Sequence, residues 1–452
     1  MIYKKVKNNL FKTSSKGNIT ILVLIVALAV IVGTTAMVGY LFRDIGFTEL
    51  DEGKLRALNF AEAGISNMFL NIEKYNKEEI PSLPTSPYTE DVYTDGEIAG
   101  NYTVSHESYS TGGEFAIYGY SITSRGEDKN GAVREVRVNI LVMNIYDFIF
   151  SENTLSSAQH IAGNTTIVGP FLVIGELDMV LGNAKFLEGP LLVKGDINIG
   201  GSSSIGEAGE GNSIILFMAG SMFYNGTKID PLNPPGNAEV YVDTLYNSVF
   251  DISLPEIDDE YINSLVDSRA DVIPGDLSIG DGVFKIDDVV VNPGNPEYPQ
   301  YLSFVSGILQ IDQNTVVYGD ITINSNVQYN GKANLVSTGS IYINSRIIPI
   351  GLESLFPEDN LLGLVTQNDI FMDLNYNGSY NDPAVAVMVI ANNSVELDNG
   401  VVLRGSSISD NLTMGENAKV YFEQEIGDYL PAGVPEFNNI LFSLDWQEII
   451  AD

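Results

Sequence analysis

"GNTTIVGPFLVIGELDMVL" (Gly163–Leu181) is followed without interruption by "GNAKFLEGPLLVKGDINIG" (Gly182–Gly200). Laid one over the other, Gly163 falls on Gly182, a step of 19. Gly169-Pro170 falls on Gly189-Pro190 and Gly175 on Gly195, each a step of 20. "VVYGDITIN" and "VSTGSIYIN" repeat the spacing, with Gly319 and Gly339 again 20 apart. The texture returns in "VAVMVIANNSVELDNGVVLRGSSISDNLTMGENAKVYFE" (Val385–Glu423). Apolar runs of three to five residues at such a period predict short strands that turn corners. One coil cannot bury its apolar face alone, so coils stack. Gly and Asn supply the φ > 0 corners. The region reads as a β-solenoid of either hand. An up-and-down sandwich is the alternative, and aligned glycines in consecutive coils count against it.

The composition agrees. With 452 residues, 43 of them Gly and only 18% charged, the chain suits a turn-rich β protein of two or three domains. The formal net charge is −36, and the first 17 residues hold five lysines and no acid, so the remainder is more negative still. Such a surface does not fit nucleic-acid phosphates, which require basic residues. The absence of cysteine excludes disulfides, thiolate metal sites and cysteine nucleophiles. Only His106 and His160 are present, far apart in sequence, which leaves a His-based zinc site or Ser-His-Asp triad poorly supplied.

At the other end, "ITILVLIVALAVIVGTTAMVGYLF" (Ile19–Phe42) carries no charge. As a helix its 24 positions reach about 36 Å, enough for a bilayer core of about 30 Å. Lysines before it and acids after it place the N-terminus in the cytoplasm. A cleaved secretory signal is shorter, and Thr34-Thr35-Ala36 is a weak cleavage site. A permanent single-span anchor and a filament-packing helix both remain. The run continues into "TELDEGKLRALNFAEAGISNMFLNIEKY", where Leu55, Leu58, Ala61, Ile65, Met68, Phe69 and Ile72 fall on one helical face. No Pro intervenes before Pro81, so one helix is expected from the membrane to about Lys74. Beyond "KEEIPSLPTSPYTEDV", read as a linker, strands are expected at Tyr102–Val104, Ala116–Ile122 and Val133–Val142.

A lysine-rich leader ending in Gly17, an apolar helix, "ALNFAEAGI" (Ala57–Ile65) and "SITSRGEDKNGAVREVRV" (Ser121–Val138) together resemble type IV pilus accessory proteins of the PilX type. These belong to the pilin and pseudopilin superfamily, and the resemblance covers about the first third of the chain. The repeat region resembles, in texture, the solenoid-like domain appended to such N-termini in Gram-positive bacteria. The resemblance implies that prepilin peptidase cuts between Gly17 and Asn18, that other pilin subunits are the partners, and that residues 19–42 hold the chain in the membrane before it reaches the cell surface or pilus. Two positions depart from the major-pilin pattern: Asn18 stands where Phe or Met is usual, and Leu22 where Glu is usual. The latter implies a minor or tip-located subunit.

The expected fold is therefore an α+β pilin-like region, a long helix plus antiparallel strands, followed by a mainly-β solenoid. Its parts are a leader (1–17), helix (18–75), antiparallel β region (76–148), first solenoid block (149–225), Pro-rich excursion (226–300), second block (301–430) and C-terminal tail (431–452). Within the excursion a short helix is expected at Asp258–Arg269, with Glu256, Asp258, Asp259 and Glu260 at its N-terminal turn, where acids suit the dipole.

One constellation has the look of a site. "DLNYNGSYND" places Asp373, Asn375 and Asn377 at positions 1, 3 and 5, Gly378 at 6 and Asp382 at 10. It matches the first half of a calcium loop. Ala384 occupies the place of the usual bidentate Glu, so Asp382 would have to substitute. The alternatives are a Ca2+ site and an Asn/Gly-rich turn without an ion. Nothing selects a catalytic group, and the chain reads as non-enzymatic. A membrane-anchored, β-helix polysaccharide-active enzyme is the competing class, for which arginines are sparse, Arg346 and Arg404 being those of the second block, and an uncleaved anchored adhesin is the third reading.

Overall fold

The computed structural model describes residues 37, 51–75, 79–110, 118–143, 146, 148–151, 164–180, 182–208, 213–247, 256–268, 270–291, 299–374, 376, 378–423, 425–435 and 440–449. They form a small α/β layer and a long stack of parallel coils, and the chain is mostly β.

In the α/β layer, helix 51–75 lies across five antiparallel strands in the order Tyr88–Thr94, Glu97–Ser110, Tyr118–Asp128, Val133–Met143, Ile440–Ile449. Three of these were expected. The first was not: Tyr88–Thr94 falls in the segment read as a linker and pairs with Glu97–Ser110 through Asp95-Gly96, both at positive φ, the two-residue hairpin that suits strand twist. The fifth comes from the segment read as a tail, which returns to pair Ile440 with Met143 and Ile449 with Glu135. Ala61, Ile65, Met68 and Ile72 of the helix share a core with Tyr102, Val104, Ile122, Val136, Val138 and Ile140. Leu55, placed on the same face from its spacing, is instead 60% exposed. The small residues Gly53, Ala57 and Gly64 lie against the sheet instead.

The 19- and 20-residue steps are the register of the parallel ladders. Thr166 pairs with Lys185, Phe171 with Leu191, Leu177 with Ile197, and later Ile321 with Ile341 and Val327 with Ile347. A sandwich would have made these neighbours antiparallel. At one corner three successive coils are bonded through acids: the Ser340 N–H donates to Asp320 Oδ1 (2.7 Å) and the Asp320 N–H to Asp276 Oδ1 (2.9 Å). Glycine precedes the corner because a Cβ on Gly339 would lie 2.1 Å from that Asp320 oxygen.

The order of the coils differs from the order of the sequence. Along one ladder the strands run Asp271–Ile273, Thr315–Val317, Lys332–Ser337, Leu361–Thr366, Val385–Leu397 and Val402–Met414, and then Ile149–Ser151, Phe171–Val173, Leu191–Val193, Ile214–Met218 and Val242–Tyr246. The last coils of the second block thus pair with the first coil of the first block. Lys419–Tyr421 likewise pairs with Thr166–Val168. The chain enters and leaves the stack at its middle. The excursion is accordingly shorter than 226–300, since Glu239–Tyr246 completes one half of the stack and Asp271–Gly280 begins the other. Antiparallel hairpins extend one face of the stack at each end, Met222–Tyr224 with Thr227–Ile229 at one and Leu277–Gly280 with Val283–Ile286 at the other, so those faces do not end in a bare parallel edge.

This ladder is apolar on both faces. Phe171, Val173, Leu191 and Val193 point into the stack's core. Leu172, Leu192, Phe217, Val316, Val336 and Val365 point the other way, under Ile257, Ile262, Leu265 and Ile426. The covering helix is Asp259–Asp267, with Asp258 as its N-cap accepting from the Tyr261 N–H (2.8 Å) and Asp259 and Glu260 in the first turn. A continuous apolar run, FLV or LLV, is what a doubly covered parallel strand requires.

Candidate functional site

The cleavage pair Gly17 and Asn18 lies outside the described residues, as does the apolar run apart from Met37, which is helical and exposed. Among the described residues no helix is long and apolar enough to cross a membrane.

The two motifs of the α/β layer meet each other. Helix residues Ala57, Ala61 and Gly64 sit one turn apart and face Ser124 and Gly126 of "SITSRGE". A Cβ on Gly126 would lie 2.0 Å from the Ala57 carbonyl oxygen and 2.6 Å from the Ala61 nitrogen, so helix and strand touch backbone to backbone. A Cβ on Gly64 would lie 2.2 Å from Ser124 Oγ. The hairpin that follows is tied to the same helix. Asp128 is fully buried at its carboxylate and accepts from Arg56 Nη2 (3.0 Å) and Nε (3.2 Å), from the Asn130 N–H (2.7 Å) and from the Ala132 N–H (3.2 Å). Burial alone would raise its pKa. The Asn130 N–H, Arg56 and the Ala132 N–H outweigh it and hold the group below the ordinary carboxylate value. The charged hairpin that follows Asp128 is thus part of the helix seat, a role that spacing alone did not signal.

The loop at 373–382 is organised around an arginine. Asp373 is exposed, and its N–H donates to the Ile343 carbonyl (3.0 Å), continuing the coil. Asn375 and Asn377 lie outside the described residues. Asp382 accepts from the Tyr376 hydroxyl (2.6 Å) and is ion-paired with Arg346. Arg346 also donates through Nε to the Pro383 carbonyl (3.0 Å) and lies 5.0 Å from the Tyr376 ring centroid. The Tyr376 hydrogen bond, with Arg346 behind it, holds the Asp382 carboxyl below its ordinary value. The acid assigned to complete a calcium set therefore already has a counter-charge. Among the described residues no group of three or more His, Cys, Asp or Glu side chains is placed to hold a metal.

The second arginine, Arg404, is 5% exposed. Its Nε donates to Glu423 Oε2 (2.5 Å), and its guanidinium lies 4.1 Å from the Tyr380 ring centroid and 5.5 Å from that of Phe356. The Tyr380 hydroxyl closes the group on Glu423 (3.2 Å). Both arginines are thus spent in ion pairs, each under an aromatic ring. His106 lies 3.0 Å through Nε2 from the Pro84 carbonyl, and His160 lies outside the described residues.

No family model matches the chain, and no curated protein matches it. Among solved structures, the competence-associated pilin ComZ from Thermus thermophilus is similar at a TM-score of 0.47 and 15% sequence identity, over 88% of this chain and 97% of that one.

Proposed function

We propose that this chain is a non-enzymatic minor pilin-like subunit of a type IV pilus or related filament, displaying a surface β-solenoid for assembly or adhesion. The observation that carries the reading is the interlocked helix seat. Ala57, Ala61 and Gly64 pack directly on Ser124 and Gly126, so the amphipathic end of the helix is committed to its own sheet. The uncharged run Ile19–Phe42 precedes it in sequence. On this proposal that run first anchors the chain in the cytoplasmic membrane with its N-terminus inside, and later packs among other subunits. Prepilin peptidase removes residues 1–17, and Leu22 in place of a glutamate marks an accessory rather than a major subunit. The stacked coils, with a hairpin at each end, are the part presented to surfaces or partner proteins.

The test is mass spectrometry of the N-terminus on protein recovered from sheared filaments. A mature chain beginning at Asn18 in that fraction is expected. An intact Met1, or a cut near Ala36, refutes the filament reading. Retention in the membrane fraction with Met1 intact would favour the anchored adhesin instead.

A further inference from the structure

The chain leaves the α/β layer after Met143 and returns to it at Ile440, and these two residues are direct neighbours in the antiparallel sheet. Everything between them, the whole stack included, is therefore threaded through a gap that a tight turn could close. Among the described residues, the layer's core of Ala61, Ile65, Met68, Ile72, Tyr102, Val104, Ile122, Val136, Val138 and Ile140 contains none from 144–439. The stack's interior, from Ile149 to Phe422, likewise contains no described residue of the layer. The two share one patch, where Leu141 joins Tyr146, Phe148, Leu172 and Leu192, and where the Tyr146 hydroxyl donates to the Pro435 carbonyl (2.5 Å). Within the stack, the entering strand Ile149–Ser151 pairs with Val402–Met414, and the last strand, Lys419–Phe422, lies beside Thr166–Val168. Both connections thus reach the middle of the stack and neither end of it.

We infer that the stack is a passenger domain inserted into a complete α/β unit and mounted on it by its middle, and that the unit, residues 51–143 with 440–449, carries assembly by itself. The inference rests on the filament reading for the word assembly, but not for the independence of the two units. The geometry gives each half of the stack a free end. Coils far from the mount can therefore vary without reaching the helix seat or the layer's core.

The chain's single tryptophan, Trp446, stands in the Ile440–Ile449 strand, so its fluorescence follows the layer while calorimetry follows both units. In the full chain, Ile65→Ala is expected to lower the Trp446 midpoint and leave a second calorimetric transition in place. Ile341→Ala is expected to do the reverse. One coincident transition that either variant moves equally overturns the inference. As a second measurement, residues 144–439 are replaced by Asn-Gly, with Leu141→Thr to remove the apolar side chain left facing solvent. This variant is expected in the sheared-filament fraction within about two-fold of the full chain. Its absence or degradation there, beside a full chain that is present, overturns the assembly role. A full chain that is itself missing from filaments defeats the filament reading, while the unfolding result still decides whether the units are independent.

Discussion

Replacing Gly64 by alanine sets two effects of known size against each other. In an exposed helix the change would stabilise by about 1 kcal/mol, because alanine costs less backbone entropy than glycine. Here the new Cβ would lie 2.2 Å from Ser124 Oγ, 2.9 Å from Tyr102 Cδ2 and 3.0 Å from Val104 Cγ2. None can yield into solvent, since Ser124 and Val104 are fully buried and Tyr102 is 5% exposed. Overpacking of this kind costs about 1–3 kcal/mol, and three simultaneous contacts argue for the upper end. The net expectation is a loss of about 1–2 kcal/mol, the overpacking cost less the propensity gain. Ser124→Ala supplies the control. Its hydroxyl is buried without a hydrogen-bond partner among the described residues, so removing it is neutral or stabilises by up to about 1 kcal/mol. On that background Gly64→Ala should cost at least about 1 kcal/mol less than in the wild type, because the worst contact is gone. Urea unfolding followed by Trp446 fluorescence measures all four corners of the cycle. If Gly64→Ala stabilises by about 1 kcal/mol on both backgrounds, helix propensity has won, and the seat is not as tight as argued.

Three further outcomes follow from the ion pairs. Asp128→Asn should cost about 2 kcal/mol at neutral pH, the value of hydrogen bonds to a buried charge. Because the folded pKa of Asp128 is depressed, its stabilisation is present above the unfolded value of about 3.9 and is lost as pH falls through the folded value. The gap between wild type and variant should therefore close in acid, and Trp446 midpoints that stay equally separated down to about pH 3 would contradict this. Arg404→Met leaves Glu423, 13% exposed at its side chain, without its counter-charge. It should cost about 3 kcal/mol in the stack's calorimetric transition, with Arg404→Met/Glu423→Gln recovering part of the loss, and no recovery would mean that packing rather than charge is at stake. Arg346→Gln strips Asp382 of its counter-charge, so calcium at about 1 mM should raise the midpoint of this variant more than that of the wild type, and equal shifts would remove the loop from consideration as a cation site.

The coil period was readable from sequence because successive coils turn at like corners, as where Gly319 and Gly339 make room for a carboxylate that accepts the next coil's N–H. The order of the coils was not. Val402–Met414 and Ile149–Ser151 share no motif, and backbone pairing between them leaves no trace in either segment. The same holds for Ile440–Ile449, whose partner lies some three hundred residues earlier in the chain. Tyr88–Thr94 was obscured by Pro81, Pro84 and Pro87 just before it, although Asp95-Gly96 is a strong hairpin signal. Leu55 was misplaced because periodicity counts apolar side chains, whereas a helix lying backbone to backbone on a sheet turns its smallest residues inward. The loop at 373–382 was legible as an oxygen-rich turn, but Arg346, 36 positions before Asp382, could be found only from the fold.

The junction at the middle of the stack also fixes the order in which the protein can be completed. Ser406 Oγ reaches the Phe148 carbonyl (3.2 Å) across 258 residues of sequence. A ribosome or export channel delivers Ile149–Tyr246 long before Val402–Phe422, so the earlier coils wait with one ladder edge open until nearly the whole chain has emerged. Contacts so distant in sequence close slowly, and unpaired edges invite wrong partners in the interval. For a chain delivered from its N-terminus, the final coil to arrive is the one that caps this edge, and the last strand, beginning at Ile440, joins the layer's sheet only after it. Truncation anywhere before Val402 should therefore leave material that collapses or is proteolysed, not a shorter version of the same particle.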